Sequence, residues 1–480
     1  MTTRMGIMKT KIIATLGPAS TKIEIMRAMV ENGVRIFRLN FSHSSADGFV
    51  EALKLIRQLE QELETPLTAM GDLCGPKTRI GTVADSPRQI SKGETMLLGV
   101  PEEAAAAEGR LFLPLDFPEL LIGLEEGMRV ILADGLLQLN VTKVLAKDRL
   151  FELEAKNAGL LTSNKGITFP GKFHPVAALT NKDRIDVCEG LALGLDAFAI
   201  SFVQTAQDLR DLIEEMERCG RRVPIIAKIE RQNAVDNIES LLELADAIMV
   251  ARGDLALECP LAEVPTIQKR LIRACRHAQK PVIVATQMML SMVNNVVPTR
   301  AEASDVTNAM VDGADCVMLS EETAIGANPL EVVKTIHEIS VAAEGYFHER
   351  MQTPWLPREG SNNGKHMAYA SCLLAQNFGA VALVCHTESG LTARNISSRR
   401  PRHEIHALSP VVSTVKALNF VWGVSPLLCT EAEARHTTRL KNFVHNSPKF
   451  NDGDVVVLST HSADLTLPEP RTNKIEIFQK

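Results

Sequence analysis

Short runs of apolar, β-branched residues recur along the chain, and most are separated by stretches whose apolar positions repeat at helical spacing. The runs are Lys11–Gly17, Val34–Phe41, Thr68–Leu73, Ala197–Phe202, Pro224–Glu230, Ala247–Leu255, Pro281–Met289 and Cys316–Ser320. Helical patterns fill Ser45–Leu63, Gln204–Cys219, Gln232–Ala245, Glu263–Ala278 and Thr299–Asp312. Strands that alternate with helices pair in parallel, because a helical crossover returns the chain to the same end of the sheet. Eight such units fit a closed α/β barrel, a (β/α)8 TIM barrel, although a doubly wound sheet has the same pattern.

The rhythm breaks between residues 76 and 169. Here short alternating runs are punctuated by turns such as Lys92-Gly93-Glu94 and Ala133-Asp134-Gly135. That pattern predicts a small all-β insertion, a β-barrel lid, placed after the third strand. In a barrel that position is a loop at the C-terminal face, so the insertion can cover an active site. After residue 350 a Gly/Pro-rich stretch, Thr353–Pro357 and then Gly360–Gly364, predicts a linker. Apolar runs return at Ala380–Cys385, Glu404–Leu408, Val424–Cys429, Asp454–Leu458 and Lys474–Phe478, predicting a C-terminal α/β domain. The expected division is therefore a barrel over 1–75 and 170–350, an inserted lid over 76–169, and an α/β regulatory domain over 351–480.

Composition narrows the partners. The chain has 480 residues, 45% of them hydrophobic and 23% charged, the balance of a globular protein of about three domains. Aromatic residues make up 4%, which argues against sugar-stacking clefts and aromatic platforms for single strands. The net charge of −6 argues against nucleic acid, so cations that bind an anionic substrate must be gathered locally. Nine scattered cysteines include no CxxC, and their odd number argues against a disulfide framework; a reducing cytoplasm fits. No uncharged apolar run reaches the ~20 residues that cross a bilayer, and Ile12–Leu16 after Lys9 and Lys11 reads as a first strand rather than a leader.

Barrel chemistry sits at the C-terminal ends of the strands, and those ends are rich in polar residues. Strand two ends with Arg38, Asn40 and Ser42 on one face, followed by His43. Strand three ends with Asp72, with Lys77 and Arg79 beyond it. Strand five places Lys228 and Glu230 on one face, and strand six ends Arg252-Gly253-Asp254, with the same two-residue spacing. Strand seven carries Thr286 and Gln287, and strand eight leads into Ser320-Glu321-Glu322-Thr323. Alone, each has an ordinary reading: an exposed Lys-x-Glu pair contributes little, and Arg-Gly-Asp is a common turn. Together they converge cations, carboxylates and hydroxyls on one rim. That set suits phosphoryl transfer. Glu230 and Asp254, on neighbouring strands, can share one divalent cation, Mg2+ (or Mn2+). Arg38 and Lys228 can neutralise a moving phosphoryl group. Residues 253–258 can open a short helix whose N–H groups receive a substrate carboxylate.

At these residues the chain resembles the pyruvate kinase family. The resemblance runs through Thr10–Ile12 and Thr15–Ser20, Arg38–His43, Gly71–Leu73 with Gly75–Arg79, Ile226–Glu230, Met249–Leu255, Ala285–Met289, Pro298–Glu302 and Met318–Thr323. It implies transfer of phosphate from phosphoenolpyruvate to ADP, giving pyruvate and ATP. It implies that Arg38 holds the phosphate and Lys228 stabilises the phosphoryl in transit. Glu230 and Asp254 would bind the metal, and Gly253, Asp254 and Thr286 the carboxylate. Thr286, relayed through water with Ser320 and Glu322, would protonate the enolate. Asn40, His43, Arg79 and Lys165 match positions near the nucleotide phosphates. Asn40, Ser42 and Asp72 match monovalent-cation ligands, with Lys77 standing where many members have Glu; members with Lys there generally work without K+. Thr387, Ser389, Gly390 and Thr392 resemble the effector-phosphate loop, for a sugar-phosphate or nucleotide effector, although an ordinary βα turn has the same composition. A homotetramer follows from the same resemblance.

Two other readings compete with it. A barrel carbon–carbon lyase acting on phosphoenolpyruvate or pyruvate accounts for the carboxylate pair but not for a lid bearing Lys165. A catalytically weak metabolite sensor is disfavoured by the intact Lys228, Glu230, Asp254 and Thr286. Glu321 and Leu290 depart from the family pattern, Glu321 adding charge beside the expected relay.

Overall fold

The computed structural model describes residues 8–173, 175–429, 436–460 and 473–480. Eight parallel strands close into a barrel: Lys11–Thr15, Val34–Asn40, Thr68–Asp72, Ala197–Ile200, Ile225–Ile229, Ala247–Ala251, Val282–Ala285 and Cys316–Leu319. The first strand pairs with both the second and the last, which shuts the ring. The inward-facing positions are apolar through the lower barrel. Ile13, Ile36, Met70, Ala199, Ile226, Met249, Ile283 and Met318 form one buried cluster, and Phe420 from the C-terminal domain joins it. The opposite faces of the strands pack on the surrounding helices in a larger cluster.

Three expected elements end early or break, each for a local reason. Strand six stops at Ala251, because Arg252–Glu258 is already helical. Strand seven stops at Ala285, because Thr286 and Gln287 turn into the left-handed region with φ of 65° and 54°. The expected helix 232–245 is two helices, Gln232–Asp236 and Ile238–Leu244, meeting at Asn237. The Asn237 side chain there donates to the Gln204 carbonyl at 2.9 Å, an outside contact that takes the residue away from a regular helix.

The insertion is all β. Its main sheet has six strands, with a separate two-stranded pair. The two edge strands of the sheet, Phe112–Pro114 and Ile167–Thr168, are joined by one extended segment. Ile80 bridges Leu115 beside the first edge, and Arg79 bridges Gly166 beside the second. The expected β-barrel is thus closed by two isolated bridges rather than by a continuous ladder. Its core is a separate apolar cluster built on Leu98, Leu113, Leu139, Phe151 and Leu153.

The C-terminal unit is a five-stranded sheet in the order Val424–Leu428, Glu404–Ser409, Ala382–His386, Val455–Thr460 and Lys474–Gln479, with only the last strand antiparallel. It docks on the N-terminal end of the barrel, opposite the site. Arg400 pairs with Asp315 at 3.0 Å, both buried, and Asn419 donates to Thr68 Oγ1 at 3.0 Å. Lys416 reaches Glu60 and the Leu67 carbonyl.

The cysteines bring one correction. Cys188 and Cys219, 31 residues apart, are joined by a disulfide with Cα atoms 5.4 Å apart, while the other seven are free. The packing of two helices makes this pair, so its sequence spacing carries no signal. Among the described residues, no helix is long and apolar enough to cross a membrane.

Candidate active site

The site follows from strand periodicity. On the first five strands the inward positions change from apolar to polar in the last turn of the pleat: Ile13 to Thr15, Ile36 to Arg38 and Asn40, Met70 to Asp72, Ala199 to Ser201, Ile226 to Lys228. The apolar layers below hold the barrel together, and the polar layer above forms its mouth.

Asp72 is the hub of that layer. It is 1% exposed, and its Oδ2 accepts from Arg38 Nε at 2.6 Å while its Oδ1 lies 3.2 Å from Lys228 Nζ. Arg38 also donates to Thr15 Oγ1 at 3.1 Å. Lys228 Nζ makes two further contacts, Ser201 Oγ at 2.7 Å and Glu230 Oε1 at 3.0 Å. Burial works against the Lys228 charge, but Asp72 and then Glu230 outweigh it, so its pKa is raised and the ammonium is kept. Burial likewise opposes ionisation of Asp72, and Lys228 and Arg38 overcome it, holding the carboxyl below the usual range. The result is a largely buried lysine and arginine, 12% and 11% exposed, fixed by carboxylates and hydroxyls, with little rotamer freedom to lose when an anion arrives.

Glu230 is 1% exposed, and its second oxygen accepts from the Phe202 N–H at 2.6 Å. Burial raises its pKa, Lys228 opposes the shift, and the charge of Asp254 adds to it. Two carboxylates that disfavour each other in a buried place are a donor set that a hard divalent cation would relieve. Glu230 and Asp254 line a cleft between barrel and insertion, together with Lys77, Thr78, Arg231 and Glu258.

Beside this pair, the strand-seven turn meets the short helix. Gly253 N–H donates to Thr286 Oγ1 at 2.9 Å, and that hydroxyl donates to the Ala285 carbonyl at 2.6 Å. A β-branched residue with positive φ is strained by about 1–2 kcal/mol. Arg252 supplies the clamp: it donates to the carbonyls of Ala285 at 3.2 Å and Thr286 at 2.7 Å and pairs with Asp305 at 2.6 Å. Arg252 thus turns onto the loop and does not share a strand face with Asp254, contrary to the expected two-residue spacing.

Glu322 is buried, with one oxygen accepting from Met289 N–H at 3.1 Å and the other from Ser320 N–H at 2.7 Å. It ties the strand-seven and strand-eight loops together. Glu321 faces solvent, as does Lys165. Asn40 Oδ1 accepts from Ser42 N–H at 3.1 Å, and Ser42 and His43 are exposed. Arg79 is also exposed, donating to the Asn164 carbonyl at 2.7 Å. In the C-terminal sheet Thr387 is buried, Ser389 is exposed and Gly390 precedes the helix Leu391–Ser397 with φ 79°.

The structure therefore brings Arg38, Asp72, Lys228 and Glu230 into one contact network and Gly253 and Thr286 into another. Sequence reasoning missed Ser201 and the role of Thr15. Their signal was parity: each lies two residues after an inward apolar position.

Comparison with known families covers both the barrel and the C-terminal sheet. The pyruvate kinase barrel-domain model matches residues 7–333, and the pyruvate kinase alpha/beta-domain model matches residues 365–466. The chain belongs to the pyruvate kinase family. A pyruvate kinase of Agrobacterium vitis is 42% identical over 417 residues, covering 87% of this chain and 85% of the relative. Pyruvate kinase 2 of a Synechocystis strain is 37% identical over 476 residues, covering 98% and 79%. A Staphylococcus saprophyticus pyruvate kinase is 35% identical over 458 residues, covering 94% and 77%. As a pyruvate kinase, the enzyme transfers the phosphoryl group of phosphoenolpyruvate to ADP, giving pyruvate and ATP in the last step of glycolysis, and requires a divalent metal ion.

Proposed function

We propose that phosphoryl transfer is carried by Lys228 and Arg38, with Glu230 and Asp254 holding Mg2+ (or Mn2+) beside them. The observation that supports this most is Lys228 itself: a largely buried ammonium kept charged by Asp72 and Glu230 at the barrel mouth. Phosphoryl transfer asks little covalent chemistry of a protein; it needs positive charge fixed where the phosphoryl passes. Arg38, steered by Asp72 and Thr15, holds the phosphate before transfer. Lys228, steered by Asp72, Ser201 and Glu230, faces it in transit. The bound divalent ion supplies further charge neutralisation at the phosphoryl oxygens.

The substrate carboxylate is assigned to the backbone N–H groups of Gly253 and Asp254 and to Thr286. Thr286 hydroxyl lies where the enolate gains its proton, and Ser320 with water completes the relay. A lone threonine is a weak acid, which is why a relay is needed. Glu322, expected as a relay member, is better assigned to positioning, because both its oxygens are engaged by backbone N–H groups.

Asn40, His43, Arg79 and Lys165 are assigned to the nucleotide phosphates, the last two carried by the insertion. Closure of that lid over the cleft would exclude water able to intercept the phosphoryl group. We infer that K+ is not required. Asp72 is committed to Arg38 and Lys228, and Asn40 Oδ1 to Ser42 N–H. The Lys77 ammonium lines the same cleft as Glu230 and Asp254. The loop 387–392 is the proposed effector-phosphate site, supported by exposed Ser389 and the turn into the helix at Gly390. A homotetramer and a cytoplasmic setting rest on the family resemblance and on the seven free thiols. The test is coupled ATP production from phosphoenolpyruvate and ADP, measured with and without Mg2+, K+ and candidate sugar phosphates.

A further inference from the structure

We propose that Cys188 and Cys219 form a reversible two-electron redox site on the outer face of the barrel, taking a hydroperoxide as oxidant and a dithiol as reductant. The two cysteines belong to neighbouring helices. Cys188 lies within Asn181–Leu193, and Cys219 caps the C-terminus of Ala206–Arg218. Their Cα atoms are 5.4 Å apart, inside the range a disulfide spans without moving the backbone, and both residues are partly exposed.

The surroundings distinguish this pair from the other seven cysteines. Arg218 Nη2 lies 3.6 Å from Cys188 Sγ, and a guanidinium at that distance favours the thiolate. Buried Glu215 lies 3.6 Å from the same sulfur and 3.9 Å from Cys219 Sγ. Its charge is balanced by Arg184 at 2.8 Å and by Arg218. Elsewhere the thiols are shielded: burial pushes Cys259 up to about 11 and both Cys372 and Cys385 up to about 12, and raises Cys275 and Cys316 too. Cys74 and Cys429 are partly exposed but stand alone.

In the oxidation, the Cys188 thiolate attacks one oxygen of the hydroperoxide. The S–O bond forms on the terminal oxygen, the O–O bond breaks, and the departing alkoxide or hydroxide takes up the proton that the thiol released on ionising. Cys219 sulfur then attacks the sulfenic sulfur, forming S–S and breaking S–O, and water leaves with the second proton. Two thiols lose two electrons, and the hydroperoxide becomes one alcohol (or water) and one water. An external dithiol reverses this by two thiol–disulfide exchanges and is itself oxidised to a disulfide. In a reducing compartment the resting form is the dithiol. The link fastens the helix whose first turn holds the last barrel residue before the insertion, since Asp183 Oδ1 accepts from Gly75 N–H at 3.2 Å.

The test uses the full-length enzyme, reduced, freed of reductant and treated with increasing hydrogen peroxide, then mapped by peptide mass without reduction. The expected first product is a cross-linked pair of peptides holding Cys188 and Cys219, lighter by two hydrogens than the separate peptides and reversed by dithiothreitol. In Cys219→Ser, a cyclic dione reagent should trap a sulfenic acid at Cys188. The proposal is overturned if the cross-link is absent, if it resists dithiothreitol, if Cys74 or Cys429 oxidises first, or if the variant carries no label at Cys188.

Discussion

Lys228 Nζ stands 3.2 Å from Asp72 Oδ1 at the mouth of the barrel, where Asp72 is buried and the lysine side chain is 12% exposed. The same carboxylate steers Arg38 through its other oxygen. Asp72→Asn keeps the shape but removes the charge that fixes both cations. Breaking a buried ion pair on one side costs about 3–5 kcal/mol, less where, as here, Glu230 still faces the lysine. The variant should lose about 2–3 kcal/mol of stability and about tenfold or more in kcat. Denaturant unfolding and steady-state kinetics measure both; unchanged kcat would remove Asp72 from the account.

Thr286→Val keeps the β-branched shape and removes the hydroxyl that accepts from Gly253 N–H. Loss of one positioned polar group at a charge-developing centre typically costs about 10^2–10^3 in rate. A fall of that order in kcat is expected, with folding preserved by circular dichroism. A variant within twofold of the parent would take the proton relay away from Thr286.

These two expectations also show how far the sequence reaches. Parity along a strand is a rigid rule, so Arg38, Asp72, Lys228 and Glu230 could be placed on one rim from spacing alone. The rule fails where the chain leaves extended geometry. Arg252 and Asp254 were assigned to a strand face, yet the helix begins at Arg252 and sends that side chain to Asp305. Thr286 has positive φ, which no β-branched residue announces in sequence; tertiary contacts from Arg252 hold it there. Glu322 has the residue type of a proton donor, and only its two backbone partners reveal a positioning role. Ser201 was overlooked because a lone serine after an apolar run looks like a strand end.

Lys77 carries the expectation of K+ independence. At constant ionic strength, exchanging K+ for a larger organic cation should leave the rate within about twofold, since the ammonium fixes charge that K+ would otherwise bring. Lys77→Glu should make activity depend on K+. A drop beyond about tenfold in the parent enzyme without K+ would contradict the role of Lys77.

Glu258 gives a pH signature. Burial pushes its pKa from 4.5 up to about 7, with Arg231 opposing the shift. A carboxyl raised on folding keeps its proton in the native state after the unfolded chain has lost it. Its contribution to stability therefore falls as pH rises from about 4.5 through about 7, by up to about 3 kcal/mol. Glu258→Gln should be more stable than the parent at pH 7.5, with the advantage shrinking toward pH 4.5. Thermal melts across that range measure it; an advantage independent of pH would place the effect elsewhere.

Lys228 bears the central claim, and Lys228→Met tests it most directly. Methionine keeps much of the length and volume and removes the charge. The measurement is the single-turnover rate of ATP formation from phosphoenolpyruvate and ADP at saturating Mg2+, with circular dichroism and melting of the same sample. A loss of about 10^2–10^4 in rate with the fold retained is the predicted result. Turnover within tenfold of the parent, from a folded variant, would contradict the assignment of phosphoryl transfer to this buried ammonium.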